Sequence, residues 1–267
     1  MNRRGLLINL GLVALTAGVT YAVSRRTRFS SGYYVQFGTS VTAGGTGTKY
    51  GHITPTVVGD QLGMPAVNVG FPGSCAGLHQ LPELNPFSLC NLVDAVASDD
   101  WTQQDAALGG QLTSSKSLFH LRTAGFPKVT LVGLEYGTND FQYNRPIGND
   151  DDCCKETFKG ALNYSVQKLS ATFPQLRLFL ITPSWLRTPS GEDSDRHPNE
   201  GGVYLRQYVD AMIRIAELNH IPCLDLWRTL GMNRHNQTTF TGDGVHPTDF
   251  GAVRRGQVIA SFIRSIS

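Results

Sequence analysis

The stretch VTLVGLEYGTND, residues 129–140, decides the fold class of this 267-residue chain. Its first half, residues 129–134, is a short and nearly continuous apolar run, which is typical of a parallel strand covered by helices on both faces. The stretch then ends in Gly137-Thr138-Asn139-Asp140, four small or polar residues. Open parallel sheets bind ligands at the carboxyl ends of their strands, so this polar end is a place to look for chemistry.

Similar runs and longer helical segments alternate along the rest of the chain. The other apolar runs are residues 33–37, 66–69, 178–181 and 221–226. The segments with helical spacing are residues 53–62, 110–124, 157–172, 202–219 and 249–266. Strand followed by helix, repeated five times, predicts a doubly wound α/β fold: a three-layer α/β/α sandwich around a five-stranded parallel sheet.

The charge distribution argues against a nucleic-acid partner. Five of the 23 basic residues lie in the first 28 positions, where no acid occurs, which leaves 18 basic residues against 21 acidic ones in the remainder. A mildly acidic body without a Lys/Arg stripe has no electrostatic footprint for nucleic acid. The composition, 40% hydrophobic and 16% charged with 29 Gly, instead favours a compact enzyme with many tight loops.

The N-terminus is typical of a targeting segment. Residues 5–23 are uncharged and flanked by arginines, and 19 such residues can just span a bilayer as a helix. We predict a membrane anchor or signal segment over 1–28, with the uncleaved anchor favoured, and one folded α/β domain over 29–267. Cleavage after Ala22 is the alternative, because Thr20-Tyr21-Ala22 loosely resembles a signal-peptidase site. Either way we expect the domain to be extracytoplasmic: membrane-anchored in one case, secreted in the other. The sequence does not indicate an oligomeric state.

We predict neither a metal nor a cofactor. The five cysteines form no CxxC or Cys/His pattern that supports zinc. Cys75 and Cys90 could form a disulfide if the chain is exported, whereas Cys223 lies in an apolar run and is expected in the core.

Three residue types needed for serine acyl transfer occur where the strands end. A serine hydroxyl requires a base within hydrogen-bond reach and a group that orients the base. Ser40 follows the first apolar run, and Asp243 and His246 lie three residues apart on one loop near the C-terminus. We predict that these three residues form a catalytic triad. We further predict an oxyanion hole made by the backbone N–H groups of Ser40 and Gly70 and the side-chain amide of Asn139.

Four sequence blocks together resemble those of the SGNH (GDSL-like) hydrolases, over a region from about Tyr33 to the C-terminus. The blocks are FGTSVTAG at 37–44, NVGFPG at 68–73, GTND at 137–140 and DGVHP at 243–247. The resemblance implies a flavodoxin-like, SGNH-type sheet. It also implies that Ser40 is the nucleophile and first oxyanion donor, that Gly70 and Asn139 are the other donors, and that Asp243 orients His246. The family usually has Gly-Asp-Ser in the first block, and here Thr39 stands in place of the Asp.

The expected reaction is hydrolysis of a carboxylic ester through an acyl-enzyme. Small-molecule or glycan esters are the expected substrates, with O-acetyl or other short acyl groups on extracytoplasmic carbohydrate favoured. Lysophospholipids or other lipid esters, and acyl transfer to a sugar hydroxyl, are alternatives that use the same triad. A membrane-tethered glycan-binding module without turnover is the alternative from another functional class.

Overall fold

The computed structural model describes residues 32–44, 52–108, 112–188 and 190–266. Its strands are β1 Tyr33–Gly38, β2 Ala66–Gly70, β3 Val129–Glu135, β4 Arg177–Ile181 and β5 Cys223–Leu224. Its helices are α1 Ser40–Ala43, α2 Thr54–Leu62, α3 Leu89–Ser98, α4 Thr102–Ala107, α5 Leu112–Ala124, α6 Thr138–Gln142, α7 Phe158–Thr172, α8 Leu205–Leu218, α9 Leu226–Thr229, α10 Gln237–Phe240 and α11 Asp249–Ser265. Two short 3-10 helices cover Pro82–Phe87 and Phe126–Lys128.

The strands form one parallel sheet in the order β2-β1-β3-β4-β5. This confirms the predicted five-stranded parallel sheet and its flavodoxin-like strand order. The last strand is shorter than the predicted run at 221–226. It ends at Leu224 because the Asp225 side chain accepts a hydrogen bond from the Arg228 N–H and caps α9 at that point.

The two faces of the sheet are buried in separate apolar clusters, which confirms the three-layer arrangement. Successive side chains of a strand point to opposite faces. Accordingly Phe179 packs in the cluster that contains residues of α2 and α11, whereas Leu178 and Leu180 pack in the cluster that contains residues of α3, α5, α7 and α8. The near-continuous hydrophobicity of the runs therefore reflects burial on both sides.

Helix α3 lies between the predicted helices at 53–62 and 110–124 and was not itself predicted from the sequence. Its buried side chains include Leu89, Leu92, Val93 and Val96, which follow helical spacing. This helix packs against α7 and extends the cover over one face of the sheet. Cys75 and Cys90 are buried and are free thiols in the structure.

The register aligns the strand ends that carry the predicted chemistry. Gly38 at the end of β1 pairs with Gly70 at the end of β2, and Phe37 pairs with Leu134 of β3. The segments that follow these strands therefore leave the sheet side by side at one edge.

The predicted anchor or signal at 1–28 lies outside the described residues. Within the part of the chain that the structure covers, no helix is both long enough and apolar enough to cross a bilayer.

Candidate active site

Ser40 is the first residue of α1, a single helical turn that directly follows β1. The buried Thr39 caps this turn, because its hydroxyl oxygen accepts a hydrogen bond from the Val41 N–H at 3.3 Å. The Ala43 N–H donates to the Thr39 carbonyl at 2.9 Å and closes the turn, and Gly44 ends it in the left-handed region at φ 102°. Thr39 thus caps α1 locally, at the position where the resemblance would place a carboxylate.

The structure brings Ser40, His246 and Asp243 together from the two ends of the domain. His246 Nε2 lies 2.9 Å from Ser40 Oγ, and His246 Nδ1 lies 2.6 Å from Asp243 Oδ2. These distances allow two consecutive hydrogen bonds through one imidazole ring. The predicted triad residues are therefore in direct contact in the order that general-base activation of a serine requires.

The loop that carries Asp243 and His246 is held by hydrogen bonds from its own backbone to the Asp243 carboxylate. Asp243 Oδ1 accepts hydrogen bonds from the backbone N–H groups of Val245 at 3.0 Å and His246 at 2.7 Å. Gly244 between them has φ +96° and packs so closely against the Arg187 carbonyl that a Cβ would lie 2.3 Å from its oxygen. The Arg187 N–H in turn donates to the Gly244 carbonyl at 3.0 Å. A glycine is required here by both backbone conformation and space.

The pKa of the Asp243 carboxyl is held below its ordinary value. Burial acts in the opposite direction, but the hydrogen bonds from the His246 side chain and from the backbone of His246 and Val245 outweigh it. Asp243 is therefore ionised at neutral pH and can stabilise an imidazolium at His246.

Asn139 lies in α6 with its side-chain amide already oriented. Its Nδ2 donates one hydrogen bond to the Ser74 carbonyl at 2.8 Å, and the residue is 5% exposed. A carboxamide nitrogen carries two hydrogens, so this contact leaves the second one for another acceptor. The sequence did not single out Ser74, which belongs to the loop that follows β2.

The prediction of Gly70 as an oxyanion donor needs correction. Its N–H donates to Asn68 Oδ1 at 2.9 Å and is therefore already engaged. The residue is a glycine for a different reason: a Cβ at this position would lie 2.3 Å from the Ala43 nitrogen and 2.8 Å from the Thr39 carbonyl oxygen. Gly70 thus lets α1 approach β2 closely.

The turn that follows presents another N–H group. Phe71, Pro72, Gly73 and Ser74 form a turn closed by the Ser74 N–H, which donates to the Phe71 carbonyl at 3.1 Å, and Gly73 has φ +80°. Pro at the second position and Gly with positive φ at the third are typical of a type II turn. Within the described part of the chain, the Gly73 N–H has no hydrogen-bond acceptor.

Asp140, beside Asn139, is fully buried and joins α6 to the loop after β2. Its carboxylate accepts hydrogen bonds from the Gly137 N–H at 3.1 Å and from the Ala76 N–H at 3.0 Å. Burial raises the pKa of Asp140 to about 6, although the backbone hydrogen bonds from Ala76 and Gly137 act against this shift. Asp140 therefore caps a helix and also fixes the loop that carries Ser74.

No group of three or more His, Cys, Asp or Glu side chains in the described ranges could hold a metal ion.

Comparisons with known proteins show which family the chain belongs to. The profile of the GDSL-like Lipase/Acylhydrolase family matches residues 37–254, which include all four blocks. The chain belongs to this family. It is accordingly a carboxylic ester hydrolase of the SGNH type. A search of curated protein sequences finds no significant match.

Solved structures share the family fold at low sequence identity. A carbohydrate acetylesterase from Sinorhizobium meliloti superposes with a TM-score of 0.59 at 16% identity, over 88% of this chain and 99% of the other. The inhibitor-bound aryl esterase of M. smegmatis gives 0.57 at 17% identity, over 89% and 100%. A Lactobacillus plantarum protein gives 0.63 at 19% identity, over 89% and 96%. At these identities the superpositions support the SGNH fold alone.

Proposed function

We propose that this chain hydrolyses short-chain carboxylic esters through an acyl-enzyme on Ser40. The observation that carries the proposal is the continuous contact from Ser40 Oγ through the His246 ring to Asp243, with distances of 2.9 Å and 2.6 Å.

The proton transfers that we propose follow the order of these contacts. His246 Nε2 removes the Ser40 proton as Oγ attacks the ester carbonyl, and the resulting imidazolium faces the ionised Asp243. Collapse of the tetrahedral intermediate breaks the bond to the alcohol, which leaves with the proton from His246. Water then attacks the acyl-Ser40 ester while His246 takes a proton from it. When the bond between the acyl group and Ser40 Oγ breaks, His246 returns that proton to Oγ and the acid product leaves.

The oxyanion is stabilised by three N–H donors at the same edge of the sheet. We assign them to the Ser40 backbone, the Gly73 backbone and the second amide hydrogen of Asn139. Gly73 takes the place predicted for Gly70, because the Gly70 N–H is bound to Asn68 whereas the Gly73 N–H has no acceptor among the described residues. Donors fixed in place before the reaction need no reorganisation when charge develops.

The substrates we favour are O-acetyl or other short acyl groups on extracytoplasmic carbohydrate. Two observations support this choice. The uncharged segment at 5–23 suits a membrane tether that would hold the enzyme near envelope polysaccharide. A structure with the same fold comes from a protein described as a carbohydrate acetylesterase.

The test of the reaction uses the full chain in detergent and p-nitrophenyl acetate as substrate. We expect turnover by the wild type and a loss of about 10⁴-fold or more for Ser40→Ala, because the nucleophile is removed. Equal inactivity of both proteins, together with glycan binding by the wild type, would establish a binding module instead.

A second experiment separates the substrate classes. Rates on p-nitrophenyl esters from acetyl to palmitoyl should fall steeply with chain length, and acetate should be released from acetylated envelope glycans. A preference for palmitoyl would indicate a lipid esterase. Transfer of the acyl group to a hydroxyl of an added sugar, in place of water, would indicate an acyltransferase.

A further inference from the structure

A buried ion pair contacts α1, the helical turn that begins at Ser40. Glu135 ends β3 and Arg255 lies in α11, and their side chains are 6% and 4% exposed. Arg255 Nη2 donates to Glu135 Oε1. Arg255 also donates from Nη1 to Ser184 Oγ at 2.9 Å. Burial lowers the pKa of Arg255 to about 10, which leaves it charged at neutral pH.

The second oxygen of Glu135 is bonded to the strand and helix that carry Ser40. Glu135 Oε2 accepts hydrogen bonds from Thr42 Oγ1 at 2.9 Å and from Gln36 Nε2 at 2.7 Å. Thr42 belongs to α1 and is fully buried. It lies so close to Gly38 that a Cβ added to Gly38 would be 2.0 Å from the Thr42 hydroxyl oxygen. The turn itself, TSVTA at 39–43, contains no acidic residue. Glu135 is therefore a carboxylate from another strand that accepts a hydrogen bond from this turn.

One carboxylate thus connects three chain segments that carry the proposed chemistry. Thr42 follows Ser40 by two residues, Glu135 precedes Asn139 by four, and Arg255 follows His246 by nine along the same loop and helix. Desolvation of two charges offsets much of their mutual attraction, so a buried pair of this kind is weak evidence for stability. Fixed contacts that hold separate segments in register are a better explanation for its presence here.

We propose that Glu135 is a positioning residue of the active site. Through Thr42 and Arg255 it holds the Ser40 turn and the helix behind His246 at the spacing that keeps Ser40 Oγ in contact with His246 Nε2. Glu135 lies beneath the turn and acts through these two residues. The inference rests on the proposed serine esterase function.

The first test is Thr42→Val, with Thr54→Val as the matched control. Both threonines are buried, but the Thr54 hydroxyl has no hydrogen-bond partner among the described residues. We expect Thr42→Val to lower kcat on p-nitrophenyl acetate about 10-fold or more with KM unchanged, since small displacements of a reacting group are costly. Thr54→Val should stay within about 2-fold of the wild type, because no hydrogen bond is lost.

Two readouts separate positioning from folding. The rate constant for inactivation by phenylmethylsulfonyl fluoride reports the reactivity of each intact Ser40. The amplitude of the initial burst of p-nitrophenol from p-nitrophenyl acetate reports the number of competent sites. Positioning predicts a lower rate constant at an unchanged amplitude. A lower amplitude with a wild-type rate constant would overturn the proposal, because it would show that the contact only maintains the folded population.

The second test removes the carboxylate without leaving a buried charge. Glu135→Gln alone leaves Arg255 unpaired and could prevent folding, so it is combined with Arg255→Met. We expect the double variant to fold and to show reduced kcat and reduced Ser40 reactivity. Wild-type kcat in the folded double variant would overturn the proposal. The proposed function fails separately, if Ser40→Ala keeps wild-type activity.

Discussion

Replacing Asp243 with Asn exchanges one carboxylate oxygen for an amino group and leaves the shape of the side chain unchanged. Backbone hydrogen bonds determine how the new amide is oriented. Two N–H groups, of Val245 at 3.0 Å and His246 at 2.7 Å, point at the Oδ1 position, so the carbonyl oxygen of the new amide must stay there. Its amino group then occupies the Oδ2 position, 2.6 Å from His246 Nδ1.

This placement reverses the tautomer of His246. An amino group facing Nδ1 donates to it, so Nδ1 must be the acceptor and the ring hydrogen moves to Nε2. Nε2 then carries a hydrogen toward Ser40 Oγ and cannot take the serine proton. We expect kcat to fall on the order of 10³- to 10⁴-fold. This corresponds to about 4–6 kcal/mol of transition-state stabilisation at about 1.4 kcal/mol per tenfold.

The assay is steady-state hydrolysis of p-nitrophenyl acetate near neutral pH, with thermal unfolding followed in parallel. The control is Asp210→Asn, which removes a carboxylate from an exposed pair with Arg206 on α8. Because exposed pairs contribute little, this control should leave kcat within about 2-fold. A loss of less than about 10-fold in Asp243→Asn, with the fold intact, would refute the claim that the carboxylate sets the tautomer of His246.

Three other substitutions test neighbouring contacts. Asn139→Ala should lower kcat by about 10²-fold or more with little change in KM, because the amide acts on the oxyanion; unchanged kcat would remove it from the site. Asp140→Asn should lower the free energy of unfolding by about 1–3 kcal/mol in urea titrations, since an amino group would face the backbone N–H of Ala76. Because the pKa of Asp140 rises from 3.8 to about 6 on folding, its contribution to stability falls as the pH increases through that range. The deficit of Asp140→Asn should therefore be larger at about pH 4.5 than at about pH 7, and a deficit that grows with pH would contradict this sign. Gly70→Ala should lower both the melting temperature and kcat, because a methyl group would clash with the Ala43 nitrogen; wild-type values for both would contradict the close approach of α1 to β2.

The fold was predictable because burial on both faces leaves a direct mark on sequence. Four of the five strands begin within one residue of the predicted runs, and α2, α7 and α11 end within one residue of the predicted segments. Helix α3 was missed although Leu89, Leu92, Val93 and Val96 have helical spacing, because the glycines and prolines that precede it are typical of loops. The short strand β5 could not be delimited, since its end depends on a capping contact of Asp225.

The sequence predicted which side chains meet at the candidate site, and it predicted less well the contacts that support them. Ser40, Asp243 and His246 could be proposed from the sequence because acyl transfer through serine needs a hydroxyl, a base and a carboxylate, and the structure places these three side chains in contact. The Gly70 prediction failed because the sequence does not show that Asn68, two residues earlier, occupies the Gly70 N–H. The Pro72-Gly73 pair is the local signal of a type II turn that could have indicated Gly73. The hydrogen bonds of Glu135 to Thr42, Gln36 and Arg255 span sequence separations of 93, 99 and 120 residues. A local sequence pattern cannot predict contacts at such separations.

The hydrogen bond from Asn139 to the Ser74 carbonyl makes a proposed oxyanion donor depend on the order of the buried segment around Ser74. The Asn139 amide is oriented before an ester binds. The entropy of orienting it is therefore lost once, during folding, and not again in each catalytic cycle. Heat or cosolvent that loosens the segment around Ser74 should therefore abolish activity below the temperature at which the sheet melts. A transition-state mimic with a tetrahedral boron or phosphorus, which would bind the proposed oxyanion donors, should stabilise the segment around Ser74. Activity should then be lost only near the temperature at which the sheet melts.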